Sequence, residues 1–303
     1  MERRAYRGEQ DVALLQAFNA AAIAATDGCG FLHPGDIPHH IFNGNKSFQP
    51  AEVLTIWEDG AGVAAWVLVG PRHRGFDAQV RPDLRGGTLE RDVLGYAEVR
   101  TIESMRRHGI EGDRLEIETY RCDTIRAGLL TGMGWASGDD PLYVINRAGL
   151  SGLPEPVIPD GYTIRRVRGV QEAAAVAEVH AAAFGSSWTP DLYRTVMESP
   201  GYAPEREFVA EAADGTLAAF TVTWHDPVNR TGLFEPVGTH RDHRRRGLGT
   251  ALLLVAMHAM ADAGLEHAEV VNENTNEASR ALYARCGFVP RYLLDGYSKP
   301  IPG

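Results

Sequence analysis

The chain has 303 residues, 44% hydrophobic and 23% charged, with a formal net charge of −10. That length suits two globular domains of ~150 residues, each with a core large enough to need no staples. The acidic balance excludes bulk attraction to nucleic acid or to an anionic membrane surface. Cys29, Cys122 and Cys286 are far apart and odd in number. They suggest no disulfide framework and no metal-ligand spacing, so a reducing compartment is expected. The start, MERRAYRGEQ, lacks the apolar core of a signal peptide, and the apolar run around Leu252 to Val255 is too short to span a bilayer. The expected location is the cytoplasm.

In chain order, a short basic strand precedes an Ala-rich helix over Asp11 to Ala25. An irregular segment, CGFLHPGDIPHHIFNGN, follows. Val53 to Trp57 and Val63 to Val69 read as strands joined by Glu58-Asp59-Gly60, a hairpin signal. Phe76 to Val80 reads as a third strand. Arg85-Gly86-Gly87 leads into a long helix reaching about Arg107. Leu115 to Thr119 alternates apolar and polar residues, as a half-buried strand does. A short helix to about Leu130, Gly134-Trp135 and a strand over Leu142 to Ile145 close the first half. Residues 148–160, AGLSGLPEPVIPD, carry three prolines and read as a linker between domains 1–147 and 161–303.

The second half repeats this order. Tyr162 to Val167 is a strand, Val170 to Ala183 a helix and Pro190 to Met197 a second helix. Phe208 to Ala212 and Leu217 to Trp224 are strands joined at Asp214-Gly215. Gly232 to Gly238 is the next strand. Beyond a long helix come a strand, Ala268 to Asn272, and a helix, Asn276 to Arg285. Asp59, Arg85 and Gly134-Trp135 recur, in order and at similar spacing, as Asp214, Arg244 and Gly287-Phe288. That points to a duplicated α/β domain.

The stretch VGTHRDHRRRGLGT, Val237 to Thr250, runs from a strand through an Arg- and Gly-rich loop into a helix. A helix start offers N–H groups without intrahelical partners and partial positive charge. Gly247 and Gly249 let a phosphate approach them. The stretch therefore reads as a pyrophosphate cradle formed by Arg244, Arg245, Arg246, Gly247, Leu248, Gly249 and Thr250. It lacks the Gly-Lys-Ser/Thr of a P-loop and the third glycine of a dinucleotide fingerprint, so ATP and NAD fit poorly.

Arg244-x-x-Gly247-x-Gly249, between strand and helix, resembles the acetyl-CoA signature of the GNAT N-acetyltransferase superfamily. Asn276-x-x-Ser279-x-x-Leu282-Tyr283-x-x-x-Gly287-Phe288 resembles its second conserved block. The resemblance covers the second half by motif, and the whole plan resembles tandem-domain members. It implies an α/β (α+β) protein with two tandem GNAT-like domains. Each would be a mixed, mostly antiparallel twisted sheet with helices on both faces. It also implies acetyl-CoA as acyl donor, no metal, and a small-molecule or peptide amine as acceptor. Val237, Gly238 and Thr239 would pair with the coenzyme's arm like an added strand, and Asn276 and Ser279 would lie along that arm.

Glu235 is the candidate base, four residues before Thr239 and so expected on its face of the strand. Tyr283 stands where the family often has its acid. Each has a bland alternative: a strand carboxylate for Glu235, a core tyrosine for Tyr283, a helix N-cap for Asn276. Trp188, Trp224, His225 and Asp226 could line the acceptor site or serve as core aromatics and loop polars. His39-His40 and Glu116/Glu118 read as loop and strand-surface residues rather than metal ligands. Aligning Arg85 with Arg244 puts Thr88 and Glu90 where Gly247 and Gly249 stand. A carboxylate there would repel a pyrophosphate, so the first domain is expected not to bind acetyl-CoA productively. A non-catalytic acyl-CoA-binding protein and an O-acyltransferase are the alternatives to an N-acetyltransferase.

Overall fold

The structure is a computed structural model that describes residues 1–302. The first half runs β1 (Glu2–Ala5), α1 (Glu9–Thr26), α2 (Asp36–Pro38), α3 (Pro50–Val53), β2 (Leu54–Asp59), β3 (Gly62–Gly70), β4 (Gly75–Val80), α4 (Thr88–Arg107), β5 (Arg114–Tyr120), α5 (Thr124–Gly132) and β6 (Ala136–Gly149). The second runs β7 (Tyr162–Arg166), α6 (Ala173–Phe184), α7 (Pro190–Met197), β8 (Glu207–Ala212), β9 (Leu217–Asp226), β10 (Thr231–Thr239), α8 (Leu248–Asp262), β11 (His267–Glu273), α9 (Glu277–Arg285) and β12 (Val289–Pro300).

The chain forms two compact units. The first contains residues 1–144, 273–275 and those from 292 on; the second contains 145–272 and 276–291. This differs from a division at 148–160. β6 is one continuous strand through Gly149, so the first part of the Pro-rich segment is still strand. The stretch after Arg291 pairs with β5, from Leu294↔Tyr120 to Pro300↔Arg114, and so counts with the first unit. Pairing partners decide membership here, and residue order does not show them.

Turn chemistry sets the hairpins. In β2–β3, Asp59 Oδ1 accepts from the Ala61 N–H at 2.8 Å, and in β8–β9 Asp214 Oδ1 accepts from Thr216 N–H at 3.0 Å. Both are Asx turns. α5, α7 and α9 start at side-chain caps, Asp123, Thr189 and Asn276. The first unit arranges β1-β2-β3-β4 around a core containing fully buried Trp66, Leu54 and Ile56. Trp66 Nε1–H reaches Asn19 Oδ1 on α1 at 3.0 Å, so its polar edge is satisfied. In the second unit, β7-β8-β9-β10-β11 carries α8 on one face, with Leu252, Leu253 and Met257 packed with Phe234, Ala268 and Val270. Each such Leu, Met, Phe or Val side chain contributes ~1.5–3 kcal/mol of burial.

The cysteines differ from expectation. Cys29, in the turn after α1, and Cys122, between β5 and α5, form a disulfide across a sequence separation of 93. Tyr120 O–H donates to Phe31 O at 2.9 Å and brings the two turns together. Cys286 is free and buried. His40 Nδ1 lies 2.8 Å from Asp77 Oδ2, and Glu116 pairs with Arg74. Among the described residues no group of three His, Cys, Asp or Glu side chains could hold a metal ion, and no helix is long and apolar enough to cross a membrane.

One buried carboxyl makes folding pH-dependent. Glu207 is fully buried and accepts hydrogen bonds from Tyr193 O–H at 2.6 Å and from Tyr202 O–H. Burial pushes its carboxyl up to about 7 from an ordinary value near 4.5, against the lowering effect of the two tyrosines. The folded state then holds the proton longer than the unfolded chain does. The contribution of Glu207 is therefore favourable at low pH and is lost as pH rises from ~4.5 to ~7, with a span on the order of 3 kcal/mol. Glu207→Gln is expected to flatten the stability profile across that window. Denaturant unfolding at pH 5 and pH 8 checks this, and an unchanged difference between the two would sink it.

Candidate active site

β10 pairs in parallel with β11 from Thr231↔His267 to Phe234↔Val270, and the pairing ends there. Its antiparallel pairing with β9 continues to Thr239↔Ala219. The two strands therefore part after Phe234, leaving the β11 side of Val237, Gly238 and Thr239 to another partner. At the parting point is a bulge: Glu235 and Pro236 stand against Val222 alone, and the Glu235–Pro236 peptide is cis. A bulge shifts strand alternation by one. Val237 comes round to the face of Phe234, and both pack with the α8-side cluster. The expectation that Glu235 shares a face with Thr239 is therefore corrected. The signal was Pro236, a proline inside a strand that otherwise reads as central.

The loop after β10 delivers the start of α8. Gly247 is the N-cap, at φ 86°, a left-handed conformation that suits glycine. Ala251 is the first residue of α8 whose N–H finds an acceptor in the chain, Gly247 O at 3.1 Å. Among the described residues, the amides of Arg245 through Thr250 have none. They form a row of donors at the positive end of a helix of 15 residues. That row fits a pyrophosphate.

The structure reassigns two groups within the cradle. A Cβ on Gly249 would come within 3.2 Å of Leu282 on α9, so this glycine serves the packing of α8 on α9. A Cβ on Gly238 would meet Phe220 at 2.4 Å, for the same kind of reason. Arg244 Nη2 donates to Ala183 O at the end of α6 at 2.7 Å, and Arg246 Nη1 to Tyr162 Oη at 3.1 Å. These arginines brace the loop, so the donors the loop leaves for an anion are backbone N–H groups. Leu248 is buried under the helix start.

Tyr283, on α9, is buried and packs against Phe288 with ring centroids 5.9 Å apart. Burial pushes its hydroxyl well above the ordinary tyrosine range, the nearby Glu235 charge adds to the rise, and a hydrogen bond with Ser279 opposes it. Tyr283 therefore stays protonated at neutral pH, as a proton donor must, and it lies within the field of Glu235. Asn276 caps α9 by accepting from Ser279 N–H at 3.0 Å, which places Asn276, Ser279 and Tyr283 on one short helix.

The acceptor candidates fare differently. Asp226 closes the β9–β10 turn, accepting from Val228 N–H at 3.0 Å and Asn229 N–H at 3.2 Å, and it is 1% exposed. It is a turn residue, not a substrate contact. Trp188 packs into the α6–α7 core, 4.9 Å from the His180 ring. Trp224 is buried, and its Nε1–H reaches Glu235 O at 2.8 Å. Both tryptophans are core aromatics.

In the first unit the corresponding helix start is filled. The turn Pro82–Leu84 matches Arg241–His243, extended Arg85 matches Arg244, and Gly86 at φ 74° matches Arg245 at φ 61°, so the structural counterpart of Glu90 is Gly249, as the alignment through the arginines gives. Glu90 is fully buried, and its Oε2 accepts from Gly86 N–H at 2.7 Å. Arg126 donates to its Oε1 at 3.0 and 2.8 Å. Arg85 pairs with Asp123. Arg126, on α5, has no signal in linear sequence. The carboxylate occupies the place a phosphate would take.

A strand pair that parts beside a helix start with acceptor-free amides gives this α/β domain an open strand edge next to a row of donors. Residues 173–288 match the family model described as the acetyltransferase (GNAT) family. A mycothiol acetyltransferase of Segniliparus rotundus is 32% identical over 145 residues, 45% of this chain and 55% of that protein. The chain thus spans about half the length of such relatives. One from Saccharomonospora viridis is 27% identical over 92% of this chain and 93% of its own. A GCN5-related N-acetyltransferase of Sphaerobacter thermophilus covers all of this chain and 96% of its own at TM-score 0.66 and 20% identity. A tandem GNAT protein from the clavulanic acid biosynthesis pathway covers all of this chain and 99% of its own, at 0.64 and 18%. These two share the fold.

Proposed function

We propose that the chain is an acetyl-CoA-dependent N-acetyltransferase. On this reading it acts in the cytoplasm on a primary amine, by direct transfer in a ternary complex. The chemistry lies in residues 161–303, and the 1–147 domain does not bind the coenzyme productively. The observation that carries the reading is the row of acceptor-free amides, Arg245 to Thr250, beside the β10/β11 parting. Those amides would hold the pyrophosphate, and Val237 to Thr239 the arm. The bound coenzyme would supply an activated acetyl thioester. Glu235, at the bulge, would take the proton from the acceptor ammonium. Tyr283, protonated and buried, would give one to the departing sulfur. The name of the relatives makes mycothiol acetylation the first acceptor chemistry to try.

The test is free thiol released from acetyl-CoA with and without a panel of amines. Acceptor-dependent release supports the reading. Tight coenzyme binding without release points instead to an acyl-CoA-binding protein, and release that needs a hydroxyl acceptor points to O-transfer. Within the reading, Tyr283→Phe is expected to lower kcat by about 100-fold, a general acid's share. Acetyl-CoA affinity should barely move, because the ring and its contact with Phe288 remain. An unchanged kcat would remove the acid role.

A further inference from the structure

The bulge in β10 leaves two consecutive carbonyls, Glu235 O and Pro236 O, where the strand ladder is broken. Each receives a side-chain donor from β9. Trp224 Nε1–H reaches Glu235 O at 2.8 Å, and Thr221 Oγ1–H reaches Pro236 O at 2.9 Å. Neither donor can wander. Thr221 is 0% and Trp224 4% exposed, and Trp224 packs with Val222 and Leu233. In the pairing around the bulge Thr221 faces its flank Val237, and Trp224 faces Leu233, one pair before the flank Phe234↔Thr223.

We infer that Thr221 and Trp224 are positioning residues. They clamp the two bulge carbonyls toward β9, hold β10 apart from β11, and so set both the Val237–Thr239 edge and the Glu235 backbone. The alternative shape for β10 is a regular strand that keeps its pairing with β11 beyond Phe234 and closes the parting. In the bulge each of these carbonyls takes a hydrogen bond from one of the two side chains. Removing a donor takes one such bond from the bulged shape and so disfavours it.

The inference rests on the proposed coenzyme site for its binding readout, but not for its structural one. Thr221→Val keeps shape and burial and removes only the hydroxyl. Thr221→Ser restores the donor, and Trp224→Phe removes the indole N–H. In Thr221→Val and Trp224→Phe, hydrogen exchange across residues 231–239 is expected to change about tenfold while β8 stays as in the parent chain. The acetyl-CoA Kd should rise about tenfold, a factor matching the loss of one such bond. Thr221→Ser should behave as the parent. Exchange over 231–239 equal to the parent in both variants overturns the clamp. So does a change spread evenly over β8 and β10, which would mark an ordinary core role. If the parent chain binds no acetyl-CoA, the functional reading fails by itself, and the exchange comparison still decides the clamp.

Discussion

Thr250→Glu is expected to abolish acetyl-CoA binding, raising Kd at least ~100-fold, or about 3 kcal/mol, while the fold survives. The first unit shows why. Glu90 stands in the first turn of α4, three residues after the cap, and reaches back to the Gly86 N–H at 2.7 Å. A glutamate at 250 would likewise stand three residues after its cap and four after Arg246, whose N–H has no acceptor in the chain. It would satisfy the donors a pyrophosphate needs and place a negative charge against it. Thr250 is only half-buried, so the longer side chain has room. Gly249→Glu carries the same charge but would also press on Leu282, so it mixes loss of binding with loss of packing. Titration calorimetry with acetyl-CoA, beside a melting curve, measures both effects. A Kd within ~3-fold of the parent would show that the helix start is not the anion site.

The reverse change is not expected to create a site. In Glu90→Thr, Arg126 would keep its charge, with a side chain only 8% exposed, and lose its partner. Removing one member of a buried pair costs ~3–5 kcal/mol. The first unit is therefore committed to its internal carboxylate. Its arginine is part of the core, as Leu282 is part of the packing that fixes Gly249.

What could be read in the sequence follows the range of the interaction. The cradle, the Asn276 cap and the Asp59 and Asp214 turns are local: residues within four positions of one another decide them. Tyr283 is implied by the resemblance to the family's second block, and its burial agrees with both an acid and a core role. The face of Glu235 was misread because one inserted residue at Pro236 reverses the alternation on which the reading relied. The partner of Glu90 and the side-chain caps on the bulge escaped because Arg126, Thr221 and Trp224 come from other elements. Trp224 was singled out for the wrong reason: its indole N–H serves the backbone of the candidate base. Arg244 and Arg246 enter the cradle by their place in the loop before the helix start, and their side chains have partners the sequence does not show, a carbonyl on α6 and the Tyr162 hydroxyl.

Reducing the Cys29–Cys122 bond is expected to lower stability by ~4–5 kcal/mol, since the bond closes a loop of 93 residues in the unfolded chain. For a unit of this size that corresponds to a fall in Tm of roughly 10–15 °C. The effect should fall on the first unit, where both cysteines lie. Cys122 adjoins Asp123, which caps α5 by accepting from Arg126 N–H at 3.0 Å and pairs with Arg85. Loosening this turn therefore also loosens the hold on Glu90. Calorimetry with and without reductant gives the shift, and the Cys29→Ser/Cys122→Ser variant should melt at the reduced value in either condition. A thiol count under denaturing, non-reducing conditions should give one group per chain, Cys286, against three after reduction. Three thiols before reduction, in protein whose thiols are trapped at lysis, would mean the pair stays open in the producing cell, as the cysteine count suggests. One thiol would mean that the bond is closed there.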